Sequence, residues 1–163
     1  MLTTGDKAPD FLLPSSDMEM RSLADYAGHW LLFYFYPKDD TPGCTIQATD
    51  FTDMESDYDA AGITVVGVSA DSCHDHQAFR DKYGLTVSLL ADMEKEACTA
   101  YGVMHEKEKD GVKKIGIQRS TFVIDPGGVI RYVEYGVAPK NHARDMLEKI
   151  REMMERTKGG TAG

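Results

Sequence analysis

Trp30-Leu31-Leu32-Phe33-Tyr34-Phe35-Tyr36 is an unbroken run of apolar and aromatic side chains. It shows no alternation between a wet and a dry face. It therefore reads as a strand buried on both sides, as in the middle of a parallel sheet. Directly after it comes Pro37-Lys38-Asp39-Asp40-Thr41-Pro42-Gly43-Cys44-Thr45. Thr41 is an N-cap residue type and Pro42 suits a first helical position, so a helix is expected from about Pro42 to Ala61. Phe51, Met54, Tyr58 and Ala61 fall on one face of it, while Asp50, Asp53, Glu55, Asp57 and Asp59 read as its solvated surface. Gly62 supplies the stop, and Ile63–Ser69 is a second buried strand. Strand, helix and strand in this order imply a right-handed crossover and parallel pairing.

The same reading extends outward. A helix is expected over about Cys73–Tyr83, capped by Asp71 or Ser72 and closed by Gly84. A short strand at Val87–Leu90 and a helix near Glu94–Tyr101 follow. Glu106–Gly111 is polar and charge-mixed, a mobile loop or a hairpin tip. Ser120–Asp125 and Val129–Val133 flank Pro126-Gly127-Gly128, which signals a hairpin. A last helix, about Asn141–Arg156, carries Met146, Leu147, Ile150, Met153 and Met154 along one stripe, so the methionines read as core filler. The expected architecture is α/β: one central mixed β-sheet with helices on both faces, forming a single domain over residues 1–157 with a disordered tail at 158–163.

A chain of 163 residues suits one domain with a sizeable core. Its net charge of −9 argues against nucleic acid or an anionic membrane as partner, since phosphates select basic patches. No apolar run approaches the roughly 20 residues needed to cross a bilayer. Residues 1–9 lack the basic-then-apolar layout of a signal peptide, so a cytoplasmic location is expected. Cys44, Cys73 and Cys98 are odd in number, widely spaced and free of any Cys-x-x-Cys pair. They write neither a disulfide framework, nor a zinc ribbon, nor a dithiol exchanger. Chemistry centred on one thiol remains.

Cys44 is the candidate. It follows a buried strand, in the first turn of its helix, and ligands of such sheets bind outside the carboxyl ends of the strands. Only the thiolate is nucleophilic, and the free N–H groups and partial positive charge of a helix start favour that anion. A lone intracellular cysteine is more often buried and inert; the Pro-Lys-Asp-Asp-Thr-Pro-Gly lead-in reverses that weighting. Two rivals stand beside this reading. Cys73, His74 and His76 lie close together as metal-ligand types, but the histidines are two residues apart and point to different sides of a helix, which favours a satisfied surface cluster. The other rival is a binding protein without catalysis. No phosphate loop and no haem, flavin or nicotinamide signature is present, so no cofactor is expected.

Pro37-x-x-x-Thr41-x-x-Cys44 resembles the peroxide-binding motif of the peroxiredoxins, and Tyr36–Thr45 as a whole resembles the bacterioferritin comigratory protein or peroxiredoxin Q group. Gly5–Phe11, Val66–Ser72 and Arg119–Asp125 match further segments of that family in order, so the likeness covers nearly the whole chain. It implies a thioredoxin-like fold with an N-terminal extension. It also implies a thiol peroxidase that reduces hydrogen peroxide and organic hydroperoxides.

By the same resemblance Cys44 is the peroxidatic cysteine, Thr41 holds the peroxide, Pro37 shapes and shields the pocket, and Arg119 comes from a distant strand to the sulfur. The backbone N–H groups of Gly43 and Cys44 would complete the cradle. Family members carry a resolving cysteine five residues after the peroxidatic one, where this chain has Thr49, or on the later helix at the position of Arg80. Cys73 is the best substitute, Cys98 a poorer one, and a one-cysteine mechanism with an external thiol stands beside them. The family implies thioredoxin as reductant, with glutaredoxin or glutathione as alternatives, and a monomer or weak homodimer.

Overall fold

The computed structural model describes residues 1–161, the last four by backbone alone. In chain order the elements are β1 (Leu12–Pro14), β2 (Met20–Ser22), β3 (Trp30–Phe35), α1 (Pro42–Asp53), α2 (Glu55–Ala61), β4 (Ile63–Ser69) and α3 (Cys73–Tyr83). Then follow β5 (Ser88–Ala91), α4 (Glu96–Ala100), β6 (Met104–Lys109), β7 (Val112–Ile117), β8 (Ser120–Ile124), β9 (Ile130–Tyr135) and α5 (His142–Thr161). All six residues of β3 are buried, and it is the middle strand of a five-stranded sheet ordered β5-β4-β3-β8-β9. β3, β4 and β5 run parallel, while β8 is antiparallel to β3 and β9 to β8. The mixed sheet and the crossover are as the apolar runs indicate.

Alternation along β3 splits the core in two. Trp30, Leu32, Tyr34 and Tyr36 pack on one face with Cys44, Ala48, Phe51, Tyr58, Phe79, Met146 and Ile150, which belong to α1, α2, α3 and α5. Leu31, Phe33 and Phe35 pack on the other with Ala97, Cys98, Tyr101 and the N-terminal Phe11 and Leu13. Gly67 on β4 is needed here: a Cβ at that position would lie 2.7 Å from the Tyr34 ring. Among the described residues no helix is long and apolar enough to cross a membrane.

Two expectations need correction, and an open alternative is decided. The single helix over Pro42–Ala61 is two, broken at Met54 (φ −99°, ψ 12°). The break turns Tyr58 so that it meets Phe51 edge-on at 5.7 Å and donates its hydroxyl to the Ala143 carbonyl of α5 at 2.6 Å. Of the two readings of Glu106–Gly111, the hairpin holds: β6 and β7 form a ribbon whose tip is Asp110 (φ 54°) and Gly111 (φ 77°), with Glu106–Lys109 in β6. Its residues 105–115 are exposed on both sides, so no apolar alternation marks them. Finally, α5 continues through Thr161 where a tail was expected from Lys158; the rest of that tail, residues 162–163, lies outside the described residues.

Candidate active site

The carboxyl ends of β3 and β4 open onto two helix starts. Thr41 stands at the N-cap of α1 with extended backbone (φ −100°, ψ 155°), Pro42 is the first helical residue, and Cys44 lies in the first turn, 2% exposed. The Thr45 N–H donates to the Thr41 carbonyl at 2.8 Å. Helix geometry leaves the Gly43 and Cys44 N–H groups without an intrahelical acceptor. Thr41 takes the N-cap position read from the sequence, but its side chain makes no capping hydrogen bond. Its hydroxyl donates to the Lys38 carbonyl at 2.7 Å, so its proton is committed and its lone pairs remain as acceptors.

Arg119 enters from the short link between β7 and β8. Its carbonyl accepts from Gly136 N–H (2.9 Å) and Val137 N–H (2.8 Å), which fixes the backbone. Its guanidinium spans two partners: Nη2 donates to Cys44 Sγ at 3.3 Å and Nη1 to Gln47 Oε1 at 2.7 Å. Gly43 leaves room for this fork, because a Cβ there would lie 2.9 Å from Arg119 Nη2 and 3.3 Å from Pro139 Cγ. The structure thus brings Thr41, Gly43, Cys44 and Arg119 to one helix start. Pro37 sits at the exposed beginning of the loop that leads there.

The loop Pro37–Thr41 is fastened to its surroundings by its acidic residues. Asp40 adopts a left-handed conformation (φ 58°) and faces outward, accepting from Lys82 Nζ at 2.7 Å and from the Tyr83 hydroxyl at 2.5 Å, both on α3. Asp39 is buried, with its carboxylate between the Tyr36 hydroxyl (2.5 Å) and His76 Nδ1 (2.6 Å).

The other thiols are placed differently. Cys73 begins α3 at the same edge of the sheet as Cys44 and is half-buried; burial pushes its thiol up. Cys98 is fully buried in the core on the opposite face of the sheet, and burial together with Asp92 pushes its thiol far up. Thr49 donates to the Thr45 carbonyl, and Arg80 pairs with Asp17 and Asp81. The Cys73, His74 and His76 group does not converge: His74 is exposed and His76 is buried with its ring turned onto Asp39. That also corrects the surface-cluster reading of His76. Asp39, Asp71 and His76 do bring potential ligand atoms within 4.8 Å of one another. Those atoms already serve hydrogen bonds: His76 Nδ1 to Asp39, and Asp71 Oδ2 to Asp39 N–H and Ser69 Oγ.

The sequence reading missed Gln47, the Asp39–His76 pair and His142. Gln47 was detectable: it follows Cys44 by three residues, so it shares its helix face, and a polar residue there is anomalous. His142, buried at the start of α5, pairs through Nε2 with Thr121 Oγ1 at 2.8 Å. Burial pushes its imidazole down to about 4, outweighing Glu134 and Asp145.

Comparison with known proteins is consistent with this geometry. The model of the AhpC/TSA family matches residues 4–133. The chain is 44% identical over 149 residues to a putative peroxiredoxin bcp of Coxiella burnetii (strain RSA 493 / Nine Mile phase I), covering 91% of this chain and 99% of that one. It is 48% identical over 149 residues to a putative peroxiredoxin of Mycobacterium tuberculosis (strain ATCC 25618 / H37Rv), covering 91% and 95%. Among solved structures it matches the Xanthomonas campestris bacterioferritin comigratory protein, studied for alkyl peroxide reduction with trapped intermediate and ligand complexes. That match has a TM-score of 0.84 at 36% identity and covers 88% of this chain and 91% of the other.

Proposed function

Because the chain belongs to the AhpC/TSA family and, within it, to the Bcp or peroxiredoxin Q peroxiredoxins, it is a peroxidase acting on hydroperoxides, and we propose that Cys44 is its peroxidatic cysteine. The observation that carries the assignment is the charge-assisted bond from Arg119 Nη2 to Cys44 Sγ at the first turn of α1.

The step is an in-line displacement. The Cys44 thiolate attacks the terminal oxygen of a hydroperoxide, the S–O bond forms and the O–O bond breaks. Sulfur is oxidised by two electrons to the sulfenic acid, and the leaving oxygen takes a proton to depart as water or an alcohol. Negative charge moves from sulfur across both oxygens, so catalysis requires donors aimed along that path. Arg119 supplies donors that stay protonated, and its bond to Gln47 holds them in place. The Gly43 and Cys44 N–H groups add two more. Thr41, its own proton given to Lys38, accepts the peroxide hydroxyl and orients it. Pro37 starts the loop that shapes the mouth of the pocket.

We assign resolution of the sulfenic acid first to an external thiol. Thr49 and Arg80 occupy the family's resolver positions, the sheet separates Cys98 from Cys44, and burial weakens Cys73 as a nucleophile. A second reading rests on the placement of Cys73 at the same sheet edge; in it the first turn of α1 opens to bring the buried Cys44 out to Cys73. Thioredoxin is the proposed reductant, ahead of glutaredoxin or glutathione, and the cytoplasm the proposed location.

Peptide mapping after one equivalent of hydrogen peroxide, with a sulfenic-acid trap, tests the scheme. Label on Cys44 supports it, and label confined to Cys73 or Cys98 contradicts it. In the same experiment without the trap, a Cys44–Cys73 linked peptide would replace external by internal resolution.

A further inference from the structure

The sulfur, in the first turn of α1, is approached past the loop Pro37–Thr41, which has no helix or strand pairing of its own, so something else must give that loop its shape. The buried cluster of Tyr36, Asp39 and His76 lies directly beneath it. His76 is fully buried on α3, and both of its ring nitrogens face acceptors. Nε2 lies 2.9 Å from the Leu90 carbonyl of β5, which only accepts, so Nε2 carries a hydrogen. Nδ1 lies 2.6 Å from Asp39 Oδ2, and a lone pair facing a carboxylate oxygen at that distance would repel it. Both ring nitrogens of His76 are thus engaged, one with β5 and one with the loop. The Tyr36 hydroxyl, from the residue just after β3, donates to Asp39 Oδ1 at 2.5 Å.

The remaining charged neighbour is Asp71, after β4, whose Oδ2 accepts from Asp39 N–H at 2.8 Å and Ser69 Oγ at 2.7 Å. Asp40 and Lys82 pair outside this cluster. Two strand ends and α3 therefore converge on Asp39, with β5 holding His76 from behind, and Asp39 stands two residues before Thr41. The left-handed Asp40 beside it is also tied to α3.

We propose that Tyr36, Asp39 and His76 form a buried, hydrogen-bonded clasp that holds Pro37–Thr41 in its peroxide-receiving shape, which makes His76 a positioning residue for the reaction at Cys44. The proposal rests on the reading of Cys44 as peroxidatic. Misplacement of a reacting group by an ångström costs about 100-fold in rate, so releasing the loop from α3 slows peroxide attack without removing Arg119 from the sulfur.

The test compares two reactions of Cys44 in wild type and His76→Gln: single-turnover oxidation by hydrogen peroxide and alkylation by iodoacetamide. Glutamine keeps one donor but cannot bond Leu90 and Asp39 at once. The expected result is a fall of about 10- to 100-fold in the peroxide rate constant, with alkylation as fast as wild type or faster and a cooperative thermal transition retained. Asp39→Asn gives the same split, and the double variant is no slower than either single one. A peroxide rate within twofold of wild type overturns the proposal. So does a parallel fall in both reactions, which would place the effect on the thiolate itself. If His76→Gln does not fold, Tyr36→Phe, which removes one hydroxyl, is judged by the same split. A wild-type protein inert to peroxide would instead defeat the assignment of Cys44, so the two failures are distinct.

Discussion

Arg119 Nη2 donates to Cys44 Sγ across 3.3 Å although the residues stand 75 positions apart. The sheet produces this contact. β8 pairs antiparallel with β3, so the start of β8, preceded by Arg119, lies beside the end of β3, from which the chain runs to Cys44 (Phe35↔Ser120). The guanidinium is therefore delivered by strand register and then aimed by Gln47.

Replacing Arg119 with Met should lower the second-order rate constant for hydrogen peroxide by about 100- to 1,000-fold, the usual loss for one donor in a preorganised charge-stabilising site. Arg119→Lys should recover little, since an ammonium lacks the planar fork that reaches Cys44 and Gln47 together. Stopped-flow oxidation of the reduced variants checks both.

Gly43→Ala should lose activity far more than stability. The new Cβ would fall 2.9 Å from Arg119 Nη2 and displace a guanidinium that is held at both ends. A rate loss of about 10-fold or more with a melting temperature close to wild type is expected; wild-type rates would show that the fork relocates without cost.

Thr41 separates two hydroxyl roles. Its proton serves Lys38, which leaves its lone pairs for the acceptor role proposed above. Thr41→Val should reduce the peroxide rate by at least 10-fold, since it removes the acceptor, while Thr41→Ser should keep most of it. Equal rates in the two variants would remove Thr41 from the mechanism.

His142 makes stability depend on pH. Its folded imidazole is pushed down to about 4 by burial, against 6.5 for a free group. Between these values the unfolded chain binds a proton that the folded chain refuses. Its contribution is complete above about pH 6.5 and is lost as the pH falls towards 4, a change on the order of 3 kcal/mol. His142→Gln retains a partner for Thr121 but does not titrate, so urea unfolding of wild type and variant should converge by roughly that amount across this window. A constant gap between them would contradict the assignment.

What was legible in the chain was what is local. β3 announces itself by unbroken apolarity, and Cys44 by the cap, proline and strand that precede it. Arg119 became visible only through family resemblance, because nothing near it in sequence tells of a sulfur 75 residues away. Asp39 and Asp40 are adjacent and identical, yet one is buried against His76 and the other faces Lys82. No local pattern distinguishes them; β3, β5 and α3 decide. His76 offered a clue, since it precedes the core residue Phe79 by one helical step. The ribbon β6–β7 left a loop and a hairpin both open, because both faces of its outer part meet water.

The central claim is that one sulfur, set at a helix start beside a fixed guanidinium, cleaves an oxygen–oxygen bond. Stopped-flow mixing of the reduced protein with hydrogen peroxide, beside Cys44→Ser, measures this directly. The account predicts loss of one thiol per chain at a rate far above that of free cysteine at the same pH, and no such phase in Cys44→Ser. A rate equal to that of free cysteine, or an unchanged phase in the serine variant, would contradict it.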